Sequence, residues 1–202
     1  MTVGTHRSRL TLGRMALLLI ALVVGCGSKE EKAPAGGGDD AAAREARLAA
    51  IRAQTQVAEG LSKAGQPAID FQVVTHKGGT LALSELKGHV VLLDFWATYC
   101  RPCAKTIPML IALQNKYSEQ GLMVVGLSEE GDEKVAPFAQ KMGINYTLAF
   151  STPALVDAYD ARGLPSLWLI DQNNRALKHY MGYSPESEQE LEAQIQSLLA
   201  KK

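Results

Sequence analysis

Three stretches of this chain are continuously apolar or nearly so: Val90–Trp96, interrupted only by Asp94, then Leu122–Leu127 and Leu167–Ile170. Runs of this length, rich in Val and Leu, predict strands buried on both faces. Two other stretches carry apolar residues at helical spacing. Ile107, Leu110, Ile111, Leu113 and Tyr117 form one stripe, and Leu191, Ile195, Leu198 and Leu199 the other. Punctuation between the runs supplies the remaining elements. Phe71–Val74 and Leu81–Leu83 flank a Lys77-Gly78-Gly79 turn and predict an N-terminal β-hairpin. Ser84 is a candidate N-cap for a single turn through Leu86, ended by Gly88. A helix is expected over Glu133–Met142, a short strand over Tyr146–Phe150 and a short helix over Pro153–Tyr159. Asp171-Gln-Asn-Asn174 predicts a hairpin turn between Leu167–Ile170 and Ala176–Met181, because Asn tolerates positive φ. Ser184-Pro185 starts a last helix, with Ser187 and Glu190 at capping-box spacing. Strands alternating with helices and closing on a hairpin predict a three-layer α/β fold with a mixed central sheet.

The ends differ from this pattern. Arg7, Arg9 and Arg14 precede an apolar block, Met15–Val24, far short of the ~20 residues that span a bilayer but suited to a secretory signal. Val23-Val24-Gly25-Cys26 resembles the lipobox of bacterial lipoproteins, which implies cleavage before Cys26, its lipidation, and a folded part held at a membrane outside the cytoplasm. A short transmembrane anchor with an incidental cysteine is the other reading. Residues 26–64 read as a flexible tether, with an Ala/Arg-rich marginal helix from Asp39 or Asp40 to about Leu61. The globular domain is expected over 65–202. Three of the 21 basic side chains lie in residues 1–25, leaving 18 against 21 acids, a charge near −3 that gives no case for nucleic-acid binding.

Chemistry concentrates after the first apolar run, in Cys100-Arg101-Pro102-Cys103. The pair falls where a strand hands over to a helix N-terminus, whose unpaired N–H groups and dipole favour a thiolate. Cys100 is the expected attacking thiolate and Cys103, one turn in and shielded, the resolving thiol. Arg101 adds a positive charge beside the nucleophile. Pro102 suits the first helical turn, whereas Pro108 should kink the helix. A zinc site would need a second ligand pair, and His76, His89 and His179 are scattered, so no metal is expected. A permanent structural disulfide is the competing reading. Asp94 is either a satisfied core acid or a proton acceptor for Cys103 with a pKa raised by burial. Pro165 reads by default as a trans, strand-entry proline.

Taken in order, Gln66-Pro67-Ala68-Ile69-Asp70-Phe71, Ser84–Gly88, Leu93–Cys103, Pro108 and Gly163-Leu164-Pro165-Ser166 resemble the thioredoxin fold, specifically its membrane-attached TlpA/ResA-like thiol:disulfide oxidoreductases. The resemblance covers about Gly65 to Gly182. It implies a Cys100–Cys103 redox pair needing no other cofactor, a cis Pro165 facing it, and Leu164 backbone groups that pair with a substrate strand. Asp94 matches the buried acid of thioredoxins, where many TlpA-like members carry Asn. Glu130 matches an acid near the active site, with Glu129 as the adjacent alternative, and the segment between Leu127 and Phe150 matches a helix-bearing insertion. Trp96, Tyr99, Arg101 and Leu164 are the implied substrate contacts. Tyr99 stands where Trp is usual, and Arg101 is unusual between the cysteines. The implied partners are exported proteins with disulfides or paired cysteines, cytochrome c apoproteins among them, and a membrane electron donor upstream. The leading expectation is a tethered reductase. A thiol peroxidase shares the Gln66–Phe71 opening but carries a proline ahead of its cysteine that Trp96-Ala97-Thr98-Tyr99 lacks. A non-enzymatic module on the same scaffold is the third reading.

Overall fold

The computed structural model describes residues 41–182 and 184–201, so the leader and Cys26 lie outside the described residues. Helix α1 spans Ala41–Gln54, followed by β1 (Gln56–Val57), β2 (Gln66–Pro67), β3 (Phe71–Val74) and β4 (Thr80–Ala82). After a 3₁₀ turn at Leu83–Leu86 come β5 (Val90–Phe95), α2 (Arg101–Tyr117) and β6 (Leu122–Ser128). The chain continues through α3 (Asp132–Met142), β7 (Thr147–Phe150), α4 (Pro153–Ala158), β8 (Ser166–Ile170), β9 (Arg175–Met181) and α5 (Pro185–Leu199).

Six strands form a mixed sheet in the order β2-β9-β8-β5-β6-β7. Parallel pairing joins β5 to β6 and β6 to β7, while β8 and β9 run antiparallel. A second, three-stranded antiparallel sheet, β1-β3-β4, contains the predicted hairpin. Strand β5 is buried along its whole length, which is why its sequence shows no alternation. Val91, Leu93 and Phe95 meet Leu155 and Ala158 of α4 and the hairpin residues Phe71 and Val73. Val90 and Leu92 on the other face meet Leu110 and Leu113 of α2 and Leu191 and Ile195 of α5. Each such side chain contributes roughly 1.5–3 kcal/mol on burial. The five apolar residues of β5 therefore outweigh the roughly 1–3 kcal/mol of leaving one polar group unpaired among them. That margin is what lets Asp94 sit in the strand.

Several local expectations are corrected. Helix α1 stops at Gln54, well before Leu61, because the next residues pair with the hairpin: Gln56 registers with Gln72, and Ala58 N–H donates to the Asp70 carbonyl at 2.9 Å. Leu61 is exposed. Backbone pairing with the hairpin therefore begins ahead of Gly65. Ser84 does not cap its turn; Ala82 occupies the cap and its N–H donates to Glu85 Oε2 at 3.2 Å. In α5 the capping box is Ser184 with Ser187, not Ser187 with Glu190, whose carboxylate pairs with Lys178 instead. Apart from these corrections, α2 holds Pro108 inside a helix that spans Arg101–Tyr117. Contacts from Arg47 and His76 to Asp132, and from Arg44 to Glu133 at 3.9 Å, hold α1 and the hairpin against the first turn of α3. Among the described residues no helix is long and apolar enough to cross a membrane.

Candidate active site

The C-terminal end of β5 delivers Trp96-Ala97-Thr98-Tyr99 and then Cys100, which is the N-cap of α2. Cys100 Sγ accepts the Cys103 N–H at 3.2 Å, satisfying one of the orphan donors of the helix start with sulfur. The two cysteines form a disulfide of 2.09 Å with Cα atoms 5.3 Å apart. Cys100 retains 8% exposure and Cys103 none, so a partner can approach only the first sulfur. Pro102 falls in the first turn, where its missing N–H leaves no bond unmade.

Pro165 follows a cis peptide bond and directly precedes β8. Phe95 pairs with Ser166, so the proline comes to the same end of the sheet as the cysteines. Leu164, half-buried, packs into the cluster formed by Trp96, Ala97, Cys100, Cys103 and Ile107. A cleft of about 240 Å³ opens beside it, lined by Trp96, Tyr99, Glu129, Glu130, Arg162 and Leu164. Tyr99 is 75% exposed at its rim, whereas Trp96, only 2% exposed, lies beneath it with its ring 5.5 Å from that of Phe138. Arg101 is exposed on the outer side of α2.

Of the two adjacent acids, Glu130 is the one tied to the active-site loop. Its Oε2 accepts the Thr98 N–H at 2.6 Å and its Oε1 the Thr98 hydroxyl at 2.9 Å, and Lys134 Nζ lies 3.5 Å away. Glu129 is exposed. Thr98 was not legible as a site residue: its partner lies 32 positions later, and neither position belongs to a periodic pattern. Hydrogen bonds to a charged group contribute roughly 1.5–3 kcal/mol each. Thr98→Val should therefore lower unfolding free energy by about that amount. Glu130→Ala should cost more, since it also strands the Thr98 N–H. Urea denaturation of the two single variants and the double variant checks this, with strong non-additivity expected.

Asp94 is wholly buried, and desolvation raises its pKa to about 8. Neither carboxylate oxygen has a hydrogen-bond partner. In register it lies opposite Gly126 of β6 and Leu167 of β8, two residues before Trp96 on the same face of the sheet. Gly126 and Tyr146, which adjoin this acid, were not singled out in the sequence. Among the described residues no group of three or more His, Cys, Asp and Glu is placed to hold a metal ion.

A redox-active cysteine pair at a helix start, a cis-proline at the same end of a mixed sheet and three layers define a thioredoxin-fold dithiol–disulfide protein. Residues 64–178 match the AhpC/TSA family. The chain is 32% identical over 124 residues to a thiol-disulfide oxidoreductase ResA of Halalkalibacterium halodurans, covering 60% of this chain and 70% of the relative. It is 33% identical over 126 residues to the ResA of Bacillus subtilis, covering 61% and 70%. A crystal structure of a thiol:disulfide interchange protein of the thioredoxin family from Chlorobium tepidum superposes with a TM-score of 0.60 at 26% identity, over 68% of this chain and 99% of that one. The chain belongs to the AhpC/TSA family, in its thioredoxin-fold TlpA/ResA-like group, and is a thiol-disulfide oxidoreductase.

Proposed function

We propose that the protein is an extracytoplasmic reductase of protein disulfides, held at a membrane through a lipidated Cys26. The observation that carries the reading is the asymmetry of the pair: Cys100 is reachable, Cys103 is sealed, and a buried acid with a raised pKa lies on the same face of the sheet. In the reduced protein the Cys100 thiolate attacks a partner disulfide, forming a mixed disulfide and releasing one partner thiolate. Cys103 gives its proton to the Asp94 carboxylate and attacks Cys100 Sγ. The Cys100–Cys103 bond forms and the second partner thiolate leaves, so that two electrons pass to the partner and its two sulfurs take up protons. A membrane electron donor restores the dithiol. Leu164 offers backbone groups to an extended partner segment, Tyr99 and Arg101 border it, and Trp96 floors the cleft beside it. Glu130 acts through Thr98, fixing the loop that presents Cys100. The partners are exported proteins that carry disulfides or paired cysteines, the chemistry of cytochrome c apoproteins included.

A Cys103→Ser variant should accumulate mixed disulfides on Cys100 with defined exported proteins. The complexes should sediment with membranes and be released by Cys26→Ser. Non-reducing electrophoresis with mass spectrometry reads both outcomes. Absence of any trapped protein defeats the exchange reading, and membrane retention of the Cys26→Ser variant defeats lipidation. The family match also favours peroxide reduction by the same thiol as a second reading. Peroxide consumption that equals wild type in Cys103→Ser, with no trapped protein, would establish it instead.

A further inference from the structure

Four buried polar side-chain atoms with no hydrogen-bond partner, both oxygens of Asp94, Trp96 Nε1 and Tyr146 Oη, belong to three residues that adjoin one glycine. Gly126 registers with Asp94 on one side and with Leu148 on the other, and Tyr146 stands two residues before Leu148. A Cβ built on Gly126 would approach Leu148 Cδ2 to 2.6 Å, Trp96 Nε1 to 2.9 Å and Tyr146 Cε2 to 3.1 Å. The missing side chain is what lets the indole N–H and the phenol ring converge on this spot beside the acid. Two donors and one ionisable acceptor are thus collected in a space sealed from solvent. Unpaired polar groups in such a place are costly unless they serve each other in some state of the protein.

We propose that Trp96 and Tyr146 are positioning residues whose N–H and O–H groups hold the charged form of Asp94, Tyr146 being the adjustable member of the pair. This rests on the reading of Asp94 as the proton acceptor for Cys103. While the cysteines are a disulfide, Asp94 is a neutral acid, which calls for donors less strongly than a carboxylate does. In the dithiol, Asp94 must be a carboxylate to take the Cys103 proton, and the two donors then have their acceptor. The other groups on this face leave the task to them. Gly126 and Leu167 opposite Asp94, and Val135 and Phe138 of α3, carry no charge, and Tyr180 of β9, whose hydroxyl is also unpartnered, stands one strand further off, opposite Leu167. Cys103 is the ionisable side chain that α2 buries here. Lys105 of α2 and Glu133, Lys134 and Lys141 of α3 are exposed, and Asp132 is engaged by Arg47 and His76. Burial, with the charge of Asp94 second, pushes the Tyr146 phenol well above its usual range, so Tyr146 stays a donor throughout.

The test is Tyr146→Phe, which removes one oxygen. The pH dependence of unfolding is compared with that of the same protein carrying Asp94→Asn, so that the difference titrates Asp94. Loss of a donor to the carboxylate should move that midpoint upward by about one pH unit. Single-turnover reduction of a model disulfide by pre-reduced protein should slow at pH 7 and recover at pH 9. In the Asp94→Asn background, Tyr146→Phe should have no further effect on either profile. A midpoint superimposable on wild type, or an effect of equal size without Asp94, overturns the proposal. If instead Asp94→Asn alone leaves the single-turnover rate unchanged while the midpoint still shifts, the donor pair stands and the role of Asp94 as acceptor for Cys103 falls.

Discussion

Asp94→Asn should make the protein more stable, and by a larger margin at pH 8 than at pH 5. The folded-state pKa of Asp94 is raised from 3.8 to about 8 by desolvation. Below about pH 3.8 both folded and unfolded chains carry the proton, and the acid costs nothing through ionisation. As pH rises, the unfolded chain releases the proton while the folded one keeps it, so stability declines until about pH 8 and then levels. Each unit of displacement is worth ~1.4 kcal/mol, which sets the full penalty on the order of 6 kcal/mol. Asparagine escapes this penalty and forfeits little, because the carboxyl oxygens have no protein partner to lose. Urea denaturation of both proteins at pH 5, 7 and 9 should give a difference that widens with pH. A flat difference would mean that Asp94 does not titrate between those limits.

Cys100→Ser should abolish thiol-disulfide exchange while leaving the fold intact. Loss of a covalent nucleophile is felt on the order of a thousandfold or more, and Cys103, fully buried, is in no position to substitute. Folding should tolerate the change for a local reason. Position 100 is the N-cap of α2 and its side chain accepts the Cys103 N–H. Serine is among the best residues for that task, so the helix start keeps its capping bond. What disappears is a cross-link closing a very short loop, worth about 2 kcal/mol in the chain-entropy account. Insulin reduction and the thermal unfolding midpoint, measured on one preparation, separate the two effects. Residual activity within tenfold of wild type would be incompatible with Cys100 as the attacking group.

The parts of this architecture legible in the sequence are those imposed by burial on consecutive residues. Val90–Phe95 reads as a doubly buried strand because both of its faces are covered, and the hairpin at Asn174 reads correctly because its φ of 57° needs a residue that tolerates it. The start of α2 was visible for the same local reason, a cysteine and a proline set at a strand end. Local propensity misled where a distant segment intervened. The Ala/Arg-rich stretch would continue as helix past Gln54, but the hairpin takes its backbone groups at Gln56–Ala58. Features built from side chains far apart in sequence left no trace in the hydrophobic pattern, and Glu130 was reached through the family resemblance alone. Glu130 and Thr98 meet across 32 residues, and Gly126 reads as an ordinary strand glycine until its neighbours are placed. Asp94 lay between these cases: its oddity was visible, but not the absence of any partner.

The edges of the six-stranded sheet bear on how a thiol-disulfide oxidoreductase meets extended chains. Strand β2 on one side is two residues long and ends in Pro67, which has no N–H to offer. On the other side β7 is bridged antiparallel at Ala149 by Thr75, and His76 N–H donates to the Leu148 carbonyl at 2.9 Å. The β7 border is therefore covered, whereas on the other side β2 pairs with only Arg175 and Ala176 of β9, which continues past it to Met181. Chains that still expose paired cysteines are incompletely folded and seek strands to add to. A disulfide exchanger with open borders would template aggregation of the molecules it handles. The short, proline-ended β2 and the bridged β7 therefore limit how many backbone groups such a chain could pair with along the sheet.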